Sequence, residues 1–261
     1  MELVEVLLVL FVAFLAGIEG ILDEFEFHQP IIACSLIGLV SGHFEEGLIL
    51  GGFLQLIALG WANIGAAVAP DACFASVMSS VLMIKALGSG VDTNYIIAAC
   101  IAIAIPLSLI GLSLTKICRN KAITLVHKMD ETANVSKYQI LGILMQGVRV
   151  LIPVLIAILI PASVYIQLFS LIPTKLYEGL VAGSYMVCVV GFAIVANVLS
   201  SKRTWPFLLI GFGLAAITDL PIIILCLIGF GLMWITMQNS TTASTSKTSD
   251  DPLGDIIDDY E

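Results

Sequence analysis

Charge is scarce in this chain. Of its 261 residues, 12% are Asp, Glu, Lys or Arg, about half the share of a soluble domain. Only 11 are basic against 20 acidic, a net charge of -9. That balance excludes a nucleic-acid binder, which needs a basic patch. Histidine occurs at His28, His43 and His127, none near another in sequence. The cysteines Cys34, Cys73, Cys100, Cys118, Cys188 and Cys226 stand singly. No spacing for a metal site or a redox pair results. A P-loop and a nucleophile elbow are absent as well. The chain reads as a conduit, not a catalyst. It has no catalytic residue, metal or cofactor to assign. No Lys or Arg precedes the first apolar run, and Glu2 and Glu5 stand where a signal peptide is basic. That run is therefore read as a retained membrane segment.

Hydrocarbon is abundant instead. Apolar residues make up 59% of the chain, and mean hydropathy is +1.06. The runs are 3–22, 31–42, 47–60, 64–84, 95–118, 139–160, 179–200 and 206–236. They are continuous and do not alternate, which excludes a transmembrane barrel. The expected fold is an all-α polytopic integral membrane protein, multi-pass in the lipid bilayer. Runs 31–42 and 47–60 fall short of the roughly 20 residues a span needs. Asp219-Leu220-Pro221 divides the last run, because Pro removes a donor and disfavours helix before it. Short and broken runs point to re-entrant helices of the transporter kind, with core and scaffold domains. Residues 1–237 form the membrane-embedded domain. Residues 238–261 read as a disordered acidic tail, with Asp250, Asp251, Asp255, Asp258, Asp259 and Glu261 near its end.

The positive-inside rule orients the chain. Lys116, Arg119, Lys121, Lys128 and Lys137, and then Lys202 and Arg203, mark cytoplasmic loops. Loop 85–94 and residues 161–178 then face outside. The side of the C-terminus stays open. Pairs of small residues (Gly38/Gly42, Gly47/Gly51, Gly179/Gly183) permit close helix packing.

Ionisable groups within apolar runs are costly and face the bundle interior. Arg149 lies ten residues into the run 139–160, with Gln146 on the same helical face. Its reading is a structural or coupling charge. Glu19 lies late in the first run, and Asp219 at the break of the last. Both read slightly better as structural. Asp71 follows the Gly/Ala/Pro-rich stretch Asn63-Ile64-Gly65-Ala66-Ala67-Val68-Ala69-Pro70. Small residues let a ligand approach backbone, and amide and carboxylate groups match sugar hydroxyls. Trp61 can stack on a sugar ring or anchor at the interface, the commoner role.

Two stretches carry a resemblance. Gly20 to Pro30 reads Gly-Ile-Leu-Asp-Glu-Phe-Glu-Phe-His-Gln-Pro. Gly47 to Trp61, running into Asn63 to Asp71, reads Gly-Leu-Ile-Leu-Gly-Gly-Phe-Leu-Gln-Leu-Ile-Ala-Leu-Gly-Trp. Together they resemble the IIC membrane subunit of the mannose/fructose/sorbose family of bacterial sugar phosphotransferase systems. The match is dense over 17–84 and follows the hydropathy outline to 236.

The resemblance implies a permease in the bacterial cell membrane. It implies inward passage of a hexose (mannose, glucose or fructose) in partnership with a IID membrane subunit. Cytoplasmic IIA and IIB units relay phosphate and phosphorylate the sugar on release. It further implies elevator-like motion within trimers of IIC–IID pairs, and bacteriocin contact at the outer loop in some bacteria. Carried onto matching positions, it gives Asn63, Gly65, Ala66, Ala67 and Asp71 as substrate-binding residues. Asp23, Glu24, His28 and Gln55 stand at the rim or gate. Gln29 and Gln55 stand where Arg and Glu are expected in some relatives. Two alternatives stay open, a proton-coupled secondary transporter and a structural subunit that only stabilises IID.

Overall fold

The computed structural model describes residues 2–59, 61, 69–127, 135–201, 204–217 and 221–244. Among the described residues the fold is all-helical: α1 (Leu3–Leu22), α2 (Pro30–Val40), α3 (Phe44–Ala58), α4 (Ala72–Ala86), α5 (Thr93–Val126), α6 (Val135–Leu159), α7 (Ala162–Ser170), α8 (Thr174–Val198), α9 (Trp205–Ile217) and α10 (Ile222–Ser244). Four of them (α1, α5, α6 and α8) are long and apolar enough to cross a membrane. At 1.5 Å per residue, the 11 residues of α2 reach about 16 Å, and the 15 of α3 or α4 about 22 Å. None matches a hydrocarbon core of about 30 Å.

The chain divides into two compact units, Met1–Val195 and Ala196–Glu261. In the first, α4 is the most enclosed helix. Ten of its 15 residues are buried: Cys73, Phe74, Ala75, Ser76, Val77, Ser79, Ser80, Val81, Met83 and Ala86. It joins one core with α1, α2 and α6, and a second with α3, α5, Phe169 and Tyr177. Short helices are buried here without stranding backbone groups in lipid, because other helices surround them.

Glycines set two close approaches. At Gly17 a Cβ would lie 2.9 Å from Gln146 O, and at Gly147 it would meet the Phe14 ring at 2.4 Å, so α1 and α6 nearly touch. The α2–α3 hairpin turns at Gly42, whose φ is +74°. Its arms close on Gly38 and Gly47, where an added Cβ would lie 2.6 Å from His43 O and 2.5 Å from Cys34 O. The close contacts thus cross the hairpin from Gly38 to Gly47. At Gly179 and Gly183 nothing lies within 4 Å.

The second unit holds α9 and α10, joined across four residues. Residues Thr204 to Leu214 and Leu225 to Met237 line one apolar groove.

Two boundaries differ from the apolar runs. α5 continues to Val126, so Lys116, Arg119 and Lys121 lie on a helix of 34 residues. That is about 51 Å long and outreaches the hydrocarbon. Hydropathy marks where lipid ends, and no Gly or Pro ends the helix there. Residues 161–178, the stretch between two apolar runs, are mostly helical. They hold α7, whose Tyr165 hydroxyl donates to Ala157 O at 2.8 Å. Burial raises the Tyr165 phenol above its ordinary pKa, keeping it a donor.

Candidate functional site

α3 ends at Ala58 and α4 begins at Ala72. Asn63, Gly65, Ala66 and Ala67 lie between them, outside the described residues. Lys128, Lys202, Arg203, Asp219 and residues 245–261 are likewise outside. The two ends of the segment are Trp61 and Asp71. Trp61 N–H donates to Ala58 O at 2.8 Å. Trp61 lines a small apolar recess with Pro30, Leu54, Ile57, Ala72, Ala75, Ala104 and Ile105. Pro106 lies beside this recess within α5. It deprives the Ala102 carbonyl of its helical donor.

Asp71 is the N-cap of α4. Its Oδ1 accepts from Phe74 N–H at 2.9 Å, which satisfies an orphan donor of the first turn. Its Oδ2 accepts from the Thr115 hydroxyl at 3.0 Å and from the Arg149 guanidinium. Its own N–H donates to Ser108 O at 3.1 Å. Arg149 Nε donates to Gln146 Oε1 at 2.8 Å. The Asp71 and Arg149 side chains are 10% and 4% exposed. An isolated charge buried this deeply carries a penalty of several kcal/mol, so each requires the other. Pro153, four residues after Arg149, also leaves the Arg149 carbonyl without its helical donor.

The loop after α1 forms a second polar cluster. Glu19 is buried, and its Oε2 accepts from Phe25 N–H at 2.7 Å and Glu24 N–H at 3.2 Å. It is a structural clamp. Asp23 and Glu26 take φ of +54° and +59°, the left-handed region that Asp tolerates better than Glu. His28 Nε2 lies 3.3 Å from Asp23 Oδ1 and 3.8 Å from Glu26 Oε2. Gln29 Nε2 donates to that same Glu26 oxygen at 2.9 Å, and Gln55 Nε2 donates to Gln29 Oε1 at 2.8 Å. Gln55 Oε1 accepts from Ile31 N–H at 3.3 Å. Ligating atoms of Asp23, Glu26 and His28 fall within 4.8 Å of one another, a spacing that metal sites share with ordinary acidic loops.

The structure thus brings Asp23, His28 and Gln55 into one network, which Gln29 and Glu26 complete. Glu24 contributes its backbone and keeps its side chain in solvent. Asp71 and Arg149 form the other cluster, with Thr115 and Gln146. Pro30 and Ala72, next in sequence to Gln29 and Asp71, both line the recess, so it lies between the two clusters. Thr115 and Glu26 carry no sequence signal that marks them out. The carboxylate, imidazole and amide groups of the loop cluster are of kinds that exchange hydrogen bonds with hydroxyl groups, whereas Asp71 and Arg149 satisfy each other.

The family model described as "PTS system sorbose-specific iic component" matches residues 3–235. The chain belongs to that family of phosphotransferase-system components. It is 40% identical to the PTS system mannose-specific EIIC component of Escherichia coli strain K12, over 90% of this chain and 89% of that protein. It is 38% identical to the fructose permease IIC component of Bacillus subtilis strain 168, over 91% of this chain and 86% of that one. A solved structure titled "Structure of membrane protein" aligns with TM-score 0.78 at 38% identity, covering 91% of this chain and 96% of the other. A cryo-EM structure of the mannose transporter ManYZ with microcin E492 aligns with TM-score 0.57, at the same identity and coverage. As a member of this family, the chain is a sugar permease component and an integral membrane protein.

Proposed function

We propose that this chain carries a hexose of the mannose, glucose or fructose class inward, and that a partner IIB unit phosphorylates the sugar as it is released. The segment 61–71 holds the sugar, through Asn63, the backbone at Gly65, Ala66 and Ala67, and the environment fixed by Asp71. Trp61 supplies the apolar face. Asp23, Glu24, His28 and Gln55 form the rim. The observation that most supports this reading is the anchoring of Asp71 by three helices, at the end of a stretch between two helices too short to span. Broken segments of this kind build substrate sites near the bilayer midplane.

The partners follow from the family. The chain pairs with a IID membrane subunit in a trimer of pairs and receives phosphate through IIA and IIB. The solved mannose transporter complex with a microcin supports a second role, as a bacteriocin contact. The outer loop 85–94 is the surface for it. Gly88 and Gly90 there have positive φ, and Asp92 caps α5 by accepting from Asn94 N–H at 2.8 Å. α10 continues to Ser244, past the expected domain boundary at 237, and the acidic sequence follows it.

The test is uptake in cells without a hexose phosphotransferase system of their own. Those cells receive this chain with IID, IIA and IIB. Labelled mannose, glucose or fructose should accumulate as sugar phosphate, and Asn63→Ala should reduce that at normal assembly. Accumulation without phosphoenolpyruvate or the soluble units would instead favour the proton-coupled alternative.

A further inference from the structure

We infer that the outward face of α5 near its C-terminal end seats an anionic phospholipid, with the headgroup on Lys116 and Arg119 and an acyl chain along Ile105 and Leu109.

One side of α5 is apolar and then basic. Leu109 follows Ile105 by four residues, Lys116 follows Leu109 by seven, and Arg119 follows Lys116 by three, so the four lie on one side of the helix. All four are exposed, Ile105 at 48% and Leu109 at 53%. The packed side is the opposite one. There Gly111 abuts Phe74 and Asp71, Thr115 bonds to Asp71, and Cys118 Sγ lies 4.0 Å from Met145 O. From Ile105 to Lys116 is about 16 Å along the axis, roughly half the thickness of the hydrocarbon. The apolar stripe therefore has the depth of one leaflet. Arg119 stands about 4.5 Å further on, within the headgroup layer.

No nearby carboxylate answers these charges. α5 and α6 contain no Asp or Glu. Among the described residues no acid pairs with Lys116 or Arg119. Asp130 and Glu131, between the two helices, lie outside the described residues. Lys121 is exposed as well and adds a third positive charge. The positive-inside rule accounts for the sign of this charge. It does not account for a basic pair that tops an exposed apolar stripe one leaflet deep. A phospholipid with net negative charge has the complementary order, acyl chain and then anionic head. A water-soluble partner would meet only the basic end.

The experiment uses the full chain co-purified with IID in an uncharged detergent. Its melting temperature is read against added phosphatidylglycerol, with phosphatidylcholine and inorganic phosphate as the other arms. Phosphatidylglycerol should raise it saturably, and the other two should not. In the double variant Lys116→Gln/Arg119→Gln the half-saturating amount should rise about 25-fold, roughly fivefold for each charge. Lys116→Arg should stay near the parent, as should Lys175→Gln, which alters an exposed lysine on α8. On the unmodified complex, added salt should weaken the effect, a readout that needs no variant to assemble. Equal stabilisation by phosphatidylcholine, an effect of inorganic phosphate alone, an effect insensitive to salt, or an unchanged half-saturation in the double variant overturns the inference. Lost pull-down of soluble IIB by the double variant, with its phosphatidylglycerol response intact, gives this face to a protein partner and overturns it too.

Discussion

Replacing Gly111 with Ala puts a methyl group where α5 meets the start of α4. The new Cβ would lie 2.7 Å from Phe74 Cβ, 2.8 Å from Asp71 Cβ and 2.9 Å from Phe74 Cγ. Ordinary contact begins at 3.4 Å, so the helices must part by about 0.7 Å. Both nearest atoms are Cβ carbons fixed to backbone, and no rotamer change relieves the clash. Overpacking of this kind costs about 1–3 kcal/mol. Ala returns about 1 kcal/mol of helix propensity. The net loss of stability is then about 0–2 kcal/mol, a small change. The displacement falls on the Thr115 to Asp71 bond, now 3.0 Å, one helical turn away. Uptake should therefore fall further than stability does. The assay pairs sugar uptake per assembled complex with the melting temperature of the detergent-purified complex. Gly142→Ala is the control, since nothing lies within 4 Å of that position. It should leave uptake unchanged. Parental uptake in Gly111→Ala would refute the argument that this contact positions the site.

Asp71→Asn keeps the cap but strands the Arg149 charge, and breaking a buried pair costs about 3–5 kcal/mol. The double variant with Arg149→Gln should melt closer to the parent and still transport poorly, which a double-mutant cycle on melting and uptake reads. Gly17→Ala drives a Cβ to 2.9 Å from the backbone Gln146 O and 3.1 Å from Gly147 Cα, so it should lower the yield of folded protein, whereas Gly179→Ala should not; detergent-solubilised yield compares them. Glu19→Gln should loosen residues 23–28, because a neutral amide oxygen accepts the Phe25 and Glu24 N–H groups more weakly. Proteolysis within that loop measures it.

Much of the site was legible because charge in a membrane is expensive. Arg149, Gln146 and Asp71 stood out within apolar sequence, and the structure joins them in one network. Their pairing was not legible, since 78 positions separate Asp71 from Arg149 and no local pattern links them. Thr115 was missed for a different reason. A hydroxyl that bonds to the carbonyl four residues earlier is ordinary in an apolar helix, and only the fold places Asp71 Oδ2 where it shares that single proton with Gly111 O. The α2–α3 hairpin was foreshadowed by two runs too short to span. The pair Gly47/Gly51 was legible along its helix, and both members pack on α2, at Cys34 O and Pro30 O; the contact of Gly38 with Gly47 across the turn was not, since sequence spacing paired Gly38 with Gly42, which meets nothing within 4 Å. The reach of α5 past residue 118 was hidden, because hydropathy reports lipid contact and does not report where a helix stops.

The central claim is that sugar phosphorylation passes through this chain. The direct measurement is phosphoenolpyruvate-dependent phosphorylation of mannose, glucose and fructose by membranes containing IID with soluble IIA and IIB, with and without this chain. The account predicts sugar phosphate only when the chain is present. Equal activity without it, with the other components intact and assembled, would contradict the account.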